Sequence, residues 1–216
     1  MFTGLIESVA PIKTIETTEV GKRLAIPLGS LAQDASLGDS ICINGVCLTI
    51  SRLENELSFF DVIAETLRVT TLGNLCADQR VNLERAMQAD GRFGGHFVQG
   101  HVDGIATIIE IKDSAGEDTL CLSADGELMK LMIARGSVTL DGVSLTIVAA
   151  DEKQFSVSLI PTTLKETNLS DRQKGDEINL EADPISKWIN HRLDAVLATS
   201  QDKSLTLEKL QDQGFA

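Results

Sequence analysis

The sequence predicts an all-β protein, two tandem closed antiparallel barrels followed by a helical tail. Three observations predict it. The chain repeats itself, each copy reads as a run of short strands around a tight hairpin, and helical spacing takes over only after Pro184.

The repeat comes first. Residues 40–87 overlay residues 137–184 without a gap, so that Asn44-Gly45-Val46-Cys47-Leu48-Thr49-Ile50 falls on Asp141-Gly142-Val143-Ser144-Leu145-Thr146-Ile147. Further on, Glu65-Thr66-Leu67 faces Thr162-Thr163-Leu164, and Asn82-Leu83-Glu84 faces Asn179-Leu180-Glu181. Upstream, Thr3-Gly4-Leu5-Ile6-Glu7 lies over Gln99-Gly100-His101-Val102-Asp103. A chain of 216 residues has room for two such modules, each able to bury its own core. The expected divisions are residues 1–96, 97–184 and 185–216.

Within each copy the strands are legible. Ile41, Ile43, Val46, Leu48 and Ile50 are apolar at nearly period-two spacing around Asn44-Gly45, a strong hairpin signal. Val138, Leu140, Val143, Leu145 and Ile147 repeat the pattern around Asp141-Gly142. Helical periodicity before residue 184 is confined to residues 128–134. Many short strands with polar turns favour a closed barrel, which leaves no exposed edges to protect.

The tail differs. Ile185, Trp188, Ile189, Leu193, Val196 and Leu197 fall at helical spacing, with Pro184 in the first turn and Asp183 in a capping position. A second short helix is expected over residues 206–213. The apolar stripe can pack on the chain's own barrels or hold copies together.

Composition narrows the function classes. With 43% hydrophobic and 24% charged residues the chain reads as an ordinary globular protein. Its formal net charge of −13 gives phosphate-backbone binding little support, so nucleic acid is not an expected partner. No apolar run approaches membrane-spanning length, and residues 1–7 lack a signal-peptide pattern, so a cytoplasmic protein off the membrane is expected. Cys42, Cys47, Cys76 and Cys121 are scattered with no C-x-x-C spacing, so neither a disulfide framework nor a zinc site is expected, and with no metal or nucleotide motif in the sequence no cofactor is expected.

The polar residues that recur in both copies are Gly4 with Gly100, Cys47 with Ser144, Thr49 with Thr146, and Thr66 with Thr163. Cys47 and Thr49 share one face of a strand, as do Ser144 and Thr146, while Leu48 and Leu145 point into the core. A strand threonine is often only a good strand former. The same pair at the same place in both copies argues for a binding face. His96 and His101 sit among Gly94, Gly95 and Gly100; read as a strand, their rings take opposite faces, which argues against a shared metal. His101 has either a structural or a functional reading, and it stands where the first copy has Leu5, so this position breaks the symmetry. His191 takes no role. Asp183 reads as an N-cap, and Arg135 as a surface cation or a ligand anchor. No phosphate loop, dinucleotide fingerprint or nucleophile elbow is present.

Together these residues resemble the riboflavin synthase family of the α-chain type, with tandem lumazine-binding repeats. The signatures are M-F-T-G-L-I-E at residues 1–7, N-G-V-C-L-T at 44–49, E-T-L-R at 65–68 and G-G-H-F-V-Q-G-H-V-D-G at 94–104. D-G-V-S-L-T at 141–146, L-I-P-T-T-L at 159–164 and N-L-E-A-D-P at 179–184 complete the set, in order along essentially the whole chain.

The resemblance implies two Greek-key six-stranded barrels and a C-terminal helix that holds a homotrimer, with no metal or redox cofactor. It implies dismutation of two 6,7-dimethyl-8-ribityllumazine molecules to riboflavin and 5-amino-6-ribitylamino-2,4-pyrimidinedione by transfer of a four-carbon unit. Each active site would lie between the first barrel of one subunit and the second barrel of a neighbour. Implied substrate contacts match Gly4, Leu5, Ile6, Cys47, Leu48, Thr49, Asp61, Val62, Ile63, Ala64, Glu65 and Thr66. In the second half they match Gly100, His101, Val102, Arg135, Ser144, Leu145, Thr146, Ile160, Pro161, Thr162, Thr163, Leu164 and Lys165. Residues tied to turnover match Phe2, Cys47, His101, Ser144, Thr146 and Asp183. The family often has Lys where this chain has Arg135. Relatives that hold a lumazine or flavin as a non-catalytic antenna lose motifs in one barrel, whereas both are intact here. A flavin-binding reductase barrel would need an α/β nucleotide domain that this chain lacks.

Overall fold

The computed structural model describes residues 1–114 and 117–201. The first repeat carries β1 (Ser8–Pro11), β2 (Thr14–Thr18), β3 (Gly21–Pro27), β4 (Ser40–Ile43), β5 (Val46–Glu54), β6 (Leu57–Ile63), a short helix α1 (Ala64–Val69) and β7 (Arg80–Arg85). The second carries β8 (Gly104–Ser114), β9 (Glu117–Ser123), α2 (Gly126–Met129), β10 (Ser137–Leu140), β11 (Val143–Ala150), β12 (Phe155–Leu159), α3 (Pro161–Glu166) and β13 (Glu177–Ala182).

The second repeat is a closed six-stranded barrel in the order β10-β11-β12-β9-β8-β13, each neighbouring pair antiparallel. The first is a seven-stranded sheet, β1-β7-β4-β5-β6-β3-β2. The extra strand has a local cause. Where β8 runs unbroken and pairs with β13 and then β9, the first repeat has Pro11, which cannot donate to a ladder, and the strand divides into β1 and β2. Ile12 and Lys13 span the break, donating to the carbonyls of Gln79 and Ala25 at 3.0 and 2.8 Å, which joins the two ends of the sheet.

The hairpins form where the sequence places them. Asn44 and Gly45 take φ of 45° and 81°, and Asp141 and Gly142 take 44° and 83°, the two-residue turn whose twist matches the flanking strands. Ile41, Ile43, Val46, Leu48 and Ile50 fill the first core, and Val138, Leu140, Val143, Leu145 and Ile147 the second.

The short helices α1 and α3 are too brief to show periodicity. They start where β6 and β12 end, α3 with Pro161 in its first turn, and each is closed by a threonine. Thr70 and Thr167 donate their hydroxyls to the carbonyls of Thr66 and Thr163 and accept the N–H of Leu72 and Leu169. The expected helix over 128–134 is shorter and earlier, at Gly126–Met129, with tighter turns continuing to Met132.

A buried amide network joins the repeats. Asn82 donates its side chain to the Asp141 carbonyl at 2.9 Å, and Asn179 donates to the Asn44 carbonyl at 2.8 Å. The backbone N–H groups of Thr71 and Asn168 complete the set on Asn179 and Asn82. One element is asymmetric. Asp141 pairs with Arg172 in the interior, where the first repeat has Asn44 and Leu75.

Met1–Asp183 form one compact unit, so both repeats share one body. By itself, α4 (Pro184–Gln201) exposes Ile185, Trp188, Ile189 and Leu193. The expected helix over residues 206–213, and the side chains of Val196 and Leu197, lie outside the described residues. Among the described residues no helix is long and apolar enough to cross a membrane.

Candidate functional site

Each barrel opens at the same place. The β5–β6 ladder runs from Glu54–Leu57 to Ile50–Phe60 and goes no further. Beyond that point β6 stays paired with β3 as far as Ile63, while the Cys47 N–H turns to the carbonyl of Gly100 at 2.9 Å. The second barrel does likewise. Its β11–β12 ladder ends at Ile147–Val157, β12 continues along β9 to Leu159, and the Ser144 N–H donates to the Gly4 carbonyl at 2.8 Å.

The peptides that fill these openings are crossed. Residues 4–6 of the first repeat lie on the second barrel, where Ile6 packs on the core, and residues 100–102 lie on the first, where Val102 does the same. Gly4 and Gly100 take φ of +77° and +76°. A Cβ on Gly100 would stand 2.6 Å from the Cys47 Cβ, and one on Gly4 2.5 Å from the Ser144 Cβ. Only glycine satisfies both the backbone angle and the approach.

Two buried carboxylates hold the crossed peptides. Glu84 accepts the N–H and hydroxyl of Thr3 at 2.6 and 2.7 Å and the N–H of Gly4 at 2.9 Å. Glu181 accepts the N–H groups of Gln99, Gly100 and His101 at 2.7, 2.9 and 3.0 Å. Burial pushes the Glu84 carboxyl above its usual range, against the pull of its three donors.

The polar groups of the two clefts differ. In the second, Ser144 Oγ lies 2.7 Å from His96 Nδ1, and His96 Nε2 lies 3.1 Å from the hydroxyl of Thr139, which sits opposite Ser144 in the β10–β11 ladder. Burial holds the His96 pKa below its ordinary value, although the charge of Asp183 pulls the other way. A neutral ring protonated on Nε2 donates to Thr139 and accepts from Ser144, an arrangement that can draw a proton through the serine hydroxyl. In the first cleft Cys42 and Cys47 occupy the places of Thr139 and Ser144.

The sequence matches the lumazine binding domain twice, at residues 3–86 and 99–183. The riboflavin synthase of Actinobacillus pleuropneumoniae is 42% identical over 215 residues, spanning 100% of both chains. That of Bacillus subtilis (strain 168) is 40% identical over 215 residues, again spanning 100% of both. The chain belongs to the riboflavin synthase family. In fold, this riboflavin synthase family member is similar to LumP complexed with riboflavin, at a TM-score of 0.78 and 23% identity over 84% of this chain and 99% of that one. LumP complexed with 6,7-dimethyl-8-(1'-D-ribityl) lumazine gives 0.77 and 22% with the same coverage.

The residues expected from the riboflavin synthase resemblance fall in several places. Cys47 and Thr49 stand at the first cleft with Gly100, and Ser144 and Thr146 at the second with Gly4. Ile63, Ala64 and Glu65 are exposed where β6 gives way to α1, as are Ile160, Pro161 and Thr162 where the chain enters α3. Leu48, Val62 and Leu145 are buried in the barrel cores, so only their backbone can face a ligand. Leu164 packs on the second core, and Thr66 and Thr163 lend their carbonyls to the helix-ending threonines. Asp61 is taken up by Arg23 at 2.6 Å, which lowers its carboxyl below the usual range. Lys165 is exposed beside Glu166. Phe2 is fully buried and bridged to Val98, with Cys42 and Cys47 packed against it. Arg135 is an exposed cation in a left-handed turn, its N–H on the Ile147 carbonyl. Asp183 is half-buried, and His101 is exposed with its backbone held by Glu181.

Four polar residues absent from the expected site belong to its frame, namely His96, Thr139, Glu84 and Glu181. The parity argument placed His96 and His101 on opposite faces of a strand, but residues 94–103 are irregular apart from the Phe2–Val98 bridge, so parity does not apply. The glutamates were visible as the repeated Asn-Leu-Glu triplet.

Proposed function

We propose that this chain carries out the riboflavin synthase reaction, converting two molecules of 6,7-dimethyl-8-ribityllumazine into riboflavin and 5-amino-6-ribitylamino-2,4-pyrimidinedione. The observation that carries the proposal is a pair of homologous openings where the two β-ladders end, flanked by different polar groups, a serine–imidazole pair at one and a thiol at the other. A dismutation needs two seats for one substrate and unequal treatment of the two molecules. The 7-methyl group of the lumazine is acidic, so a neutral imidazole acting through a hydroxyl suffices as base. The ring at Ser144 gives up that proton, and its carbanion attacks the ring at Cys47. The joined adduct then fragments, leaving a four-carbon unit on one product. Orientation of the two rings supplies most of the acceleration, for which effective molarities offer about 7–11 kcal/mol. No metal or redox cofactor is needed for this chemistry.

The working domains are residues 1–96, 97–184 and 185–216. The reacting clefts come from neighbouring copies in a homotrimer, a reading supported by the apolar residues that α4 exposes. The protein works in the cytoplasm, in keeping with its four unpaired cysteines. Purified protein given the lumazine alone, in the presence of a chelator, forms riboflavin. Tight binding of the lumazine without any product would overturn the proposal and leave an antenna-type binder.

A further inference from the structure

Cys42 and Cys47 are five apart in sequence and directly opposed across the β4–β5 hairpin. Opposed residues in an antiparallel pair project from the same face. They also belong to the class of pairs that exchange no backbone hydrogen bonds, because the Cys47 N–H is committed to Gly100. Such pairs hold their Cα atoms about 4.5 Å apart, within the separation of roughly 4.4–6.8 Å that disulfides span. The two thiols lie in one cluster with Phe2 and Val98. Cys42 is buried at 1% exposure, whereas Cys47 is half-buried at the first cleft. In the second repeat the corresponding Thr139 and Ser144 are bridged by His96, so the dithiol belongs to the first cleft alone.

We propose that Cys42 and Cys47 form a reversible disulfide across this hairpin when the protein meets a peroxide, and that the bond closes the first cleft to turnover. The half-buried Cys47 sulfur attacks hydrogen peroxide, taking one oxygen as a sulfenic acid and releasing water. The Cys42 sulfur then attacks the Cys47 sulfur, the S–O bond breaks, and the oxygen leaves with the Cys42 proton as a second water. Two thiols are oxidised by two electrons and one peroxide is reduced. Burial, with Glu84, Glu181 and Cys47 nearby, pushes the Cys42 thiol well above its usual range, which makes it a slow resolving group and a reluctant leaving group once paired. The backbone pairing is already in place, so closure needs only side-chain rotation. The loss of turnover rests on the proposed function, because it requires Cys47 to face a reacting ring; formation of the bond does not.

The test is peroxide treatment of the full chain, alkylation of remaining thiols, tryptic digestion without reductant, and a parallel turnover assay. The fragment spanning residues 24–52 contains both cysteines and no others. The proposal expects this fragment to be lighter by two hydrogens and unlabelled, and dithiothreitol to restore both labels and activity. In Cys42→Ala the lighter fragment is absent, and Cys47 proceeds to the sulfinic acid, which dithiothreitol does not reverse. A wild-type fragment carrying a sulfinic acid, or Cys47 joined to Cys76, Cys121 or another chain, would overturn the disulfide. Recovery of Cys42→Ala by dithiothreitol as complete as that of the parent would do the same. A disulfide that forms with turnover unchanged would uphold the bond and overturn the placing of Cys47 at a reacting ring.

Discussion

Gly100→Ala separates the crossed-peptide account from a generic barrel. Residue 100 belongs to the second repeat, yet its carbonyl holds Cys47 of the first at 2.9 Å. Alanine there meets two penalties. Its φ of +76° is left-handed, which costs about 1–2 kcal/mol for a residue with a Cβ. Its Cβ would lie 2.6 Å from the Cys47 Cβ and 2.8 Å from the Cys47 nitrogen, so the peptide must withdraw and break the hydrogen bond, a further loss of about 0.5–1.5 kcal/mol. The expected destabilisation is about 1.5–3.5 kcal/mol, at about 2–4 °C of melting temperature per kcal/mol for a protein of this size. Turnover should fall by about 10²-fold, the usual consequence of a displacement near 1 Å at a reacting centre. Gly175→Ala isolates the backbone penalty, since that glycine has φ +96° and open space where the Cβ would go. Urea denaturation and steady-state kinetics of both variants decide the matter. If Gly100→Ala matches Gly175→Ala in stability and keeps normal turnover, the crossed peptides do not shape the clefts.

Other perturbations reach different parts of the account. His96→Gln should lower turnover by about 10²–10⁴-fold if the ring is the base behind Ser144, and wild-type rates from a folded variant would remove it from the chemistry. The same residue sets a pH dependence. Its folded pKa lies below the ordinary value, so the unfolded chain binds the extra proton, and stability falls as pH drops from about 6.5 toward the folded pKa. Denaturation midpoints of His96→Gln across that window should vary less than those of the parent. Arg172→Leu strands the buried Asp141 carboxylate and should cost about 3–5 kcal/mol, whereas Asp141→Asn with Arg172→Leu recreates the Asn44 and Leu75 of the first repeat and should recover most of it. Equal losses in the single and double variants would refute the pairing argument. A chain ending at Pro184 should lose trimeric assembly by light scattering, and a trimer that persists would take that role from α4.

The hairpins were legible because their signals are local. Asn44-Gly45 and Asp141-Gly142 need neighbours only two residues away, and the alternation of Ile41, Ile43, Val46 and Leu48 states which face is inward. The strand break at Pro11 had a signal too, though the repeat does not announce it, because Thr107 stands at the matching place in β8. The crossing of residues 4–6 and 100–102 had no local signal. It depends on Glu84 and Glu181 capturing N–H groups some 80 positions away. His96 was hidden for a related reason, since its partners Ser144 and Thr139 are brought to it by the second barrel and not by its own segment. What the sequence did carry was the asymmetry between Cys47 and Ser144, because aligning the repeats exposes any position at which they part.

The most direct measurement is the stoichiometry of turnover with 6,7-dimethyl-8-ribityllumazine as sole substrate, following its loss and both products by chromatography. Two homologous clefts that treat one substrate in two ways predict two lumazines consumed for each riboflavin formed, with the ribitylamino-pyrimidinedione appearing in equal amount to riboflavin. Riboflavin formed from one lumazine and a separate four-carbon donor, or no riboflavin from folded protein that binds the lumazine, would contradict the account.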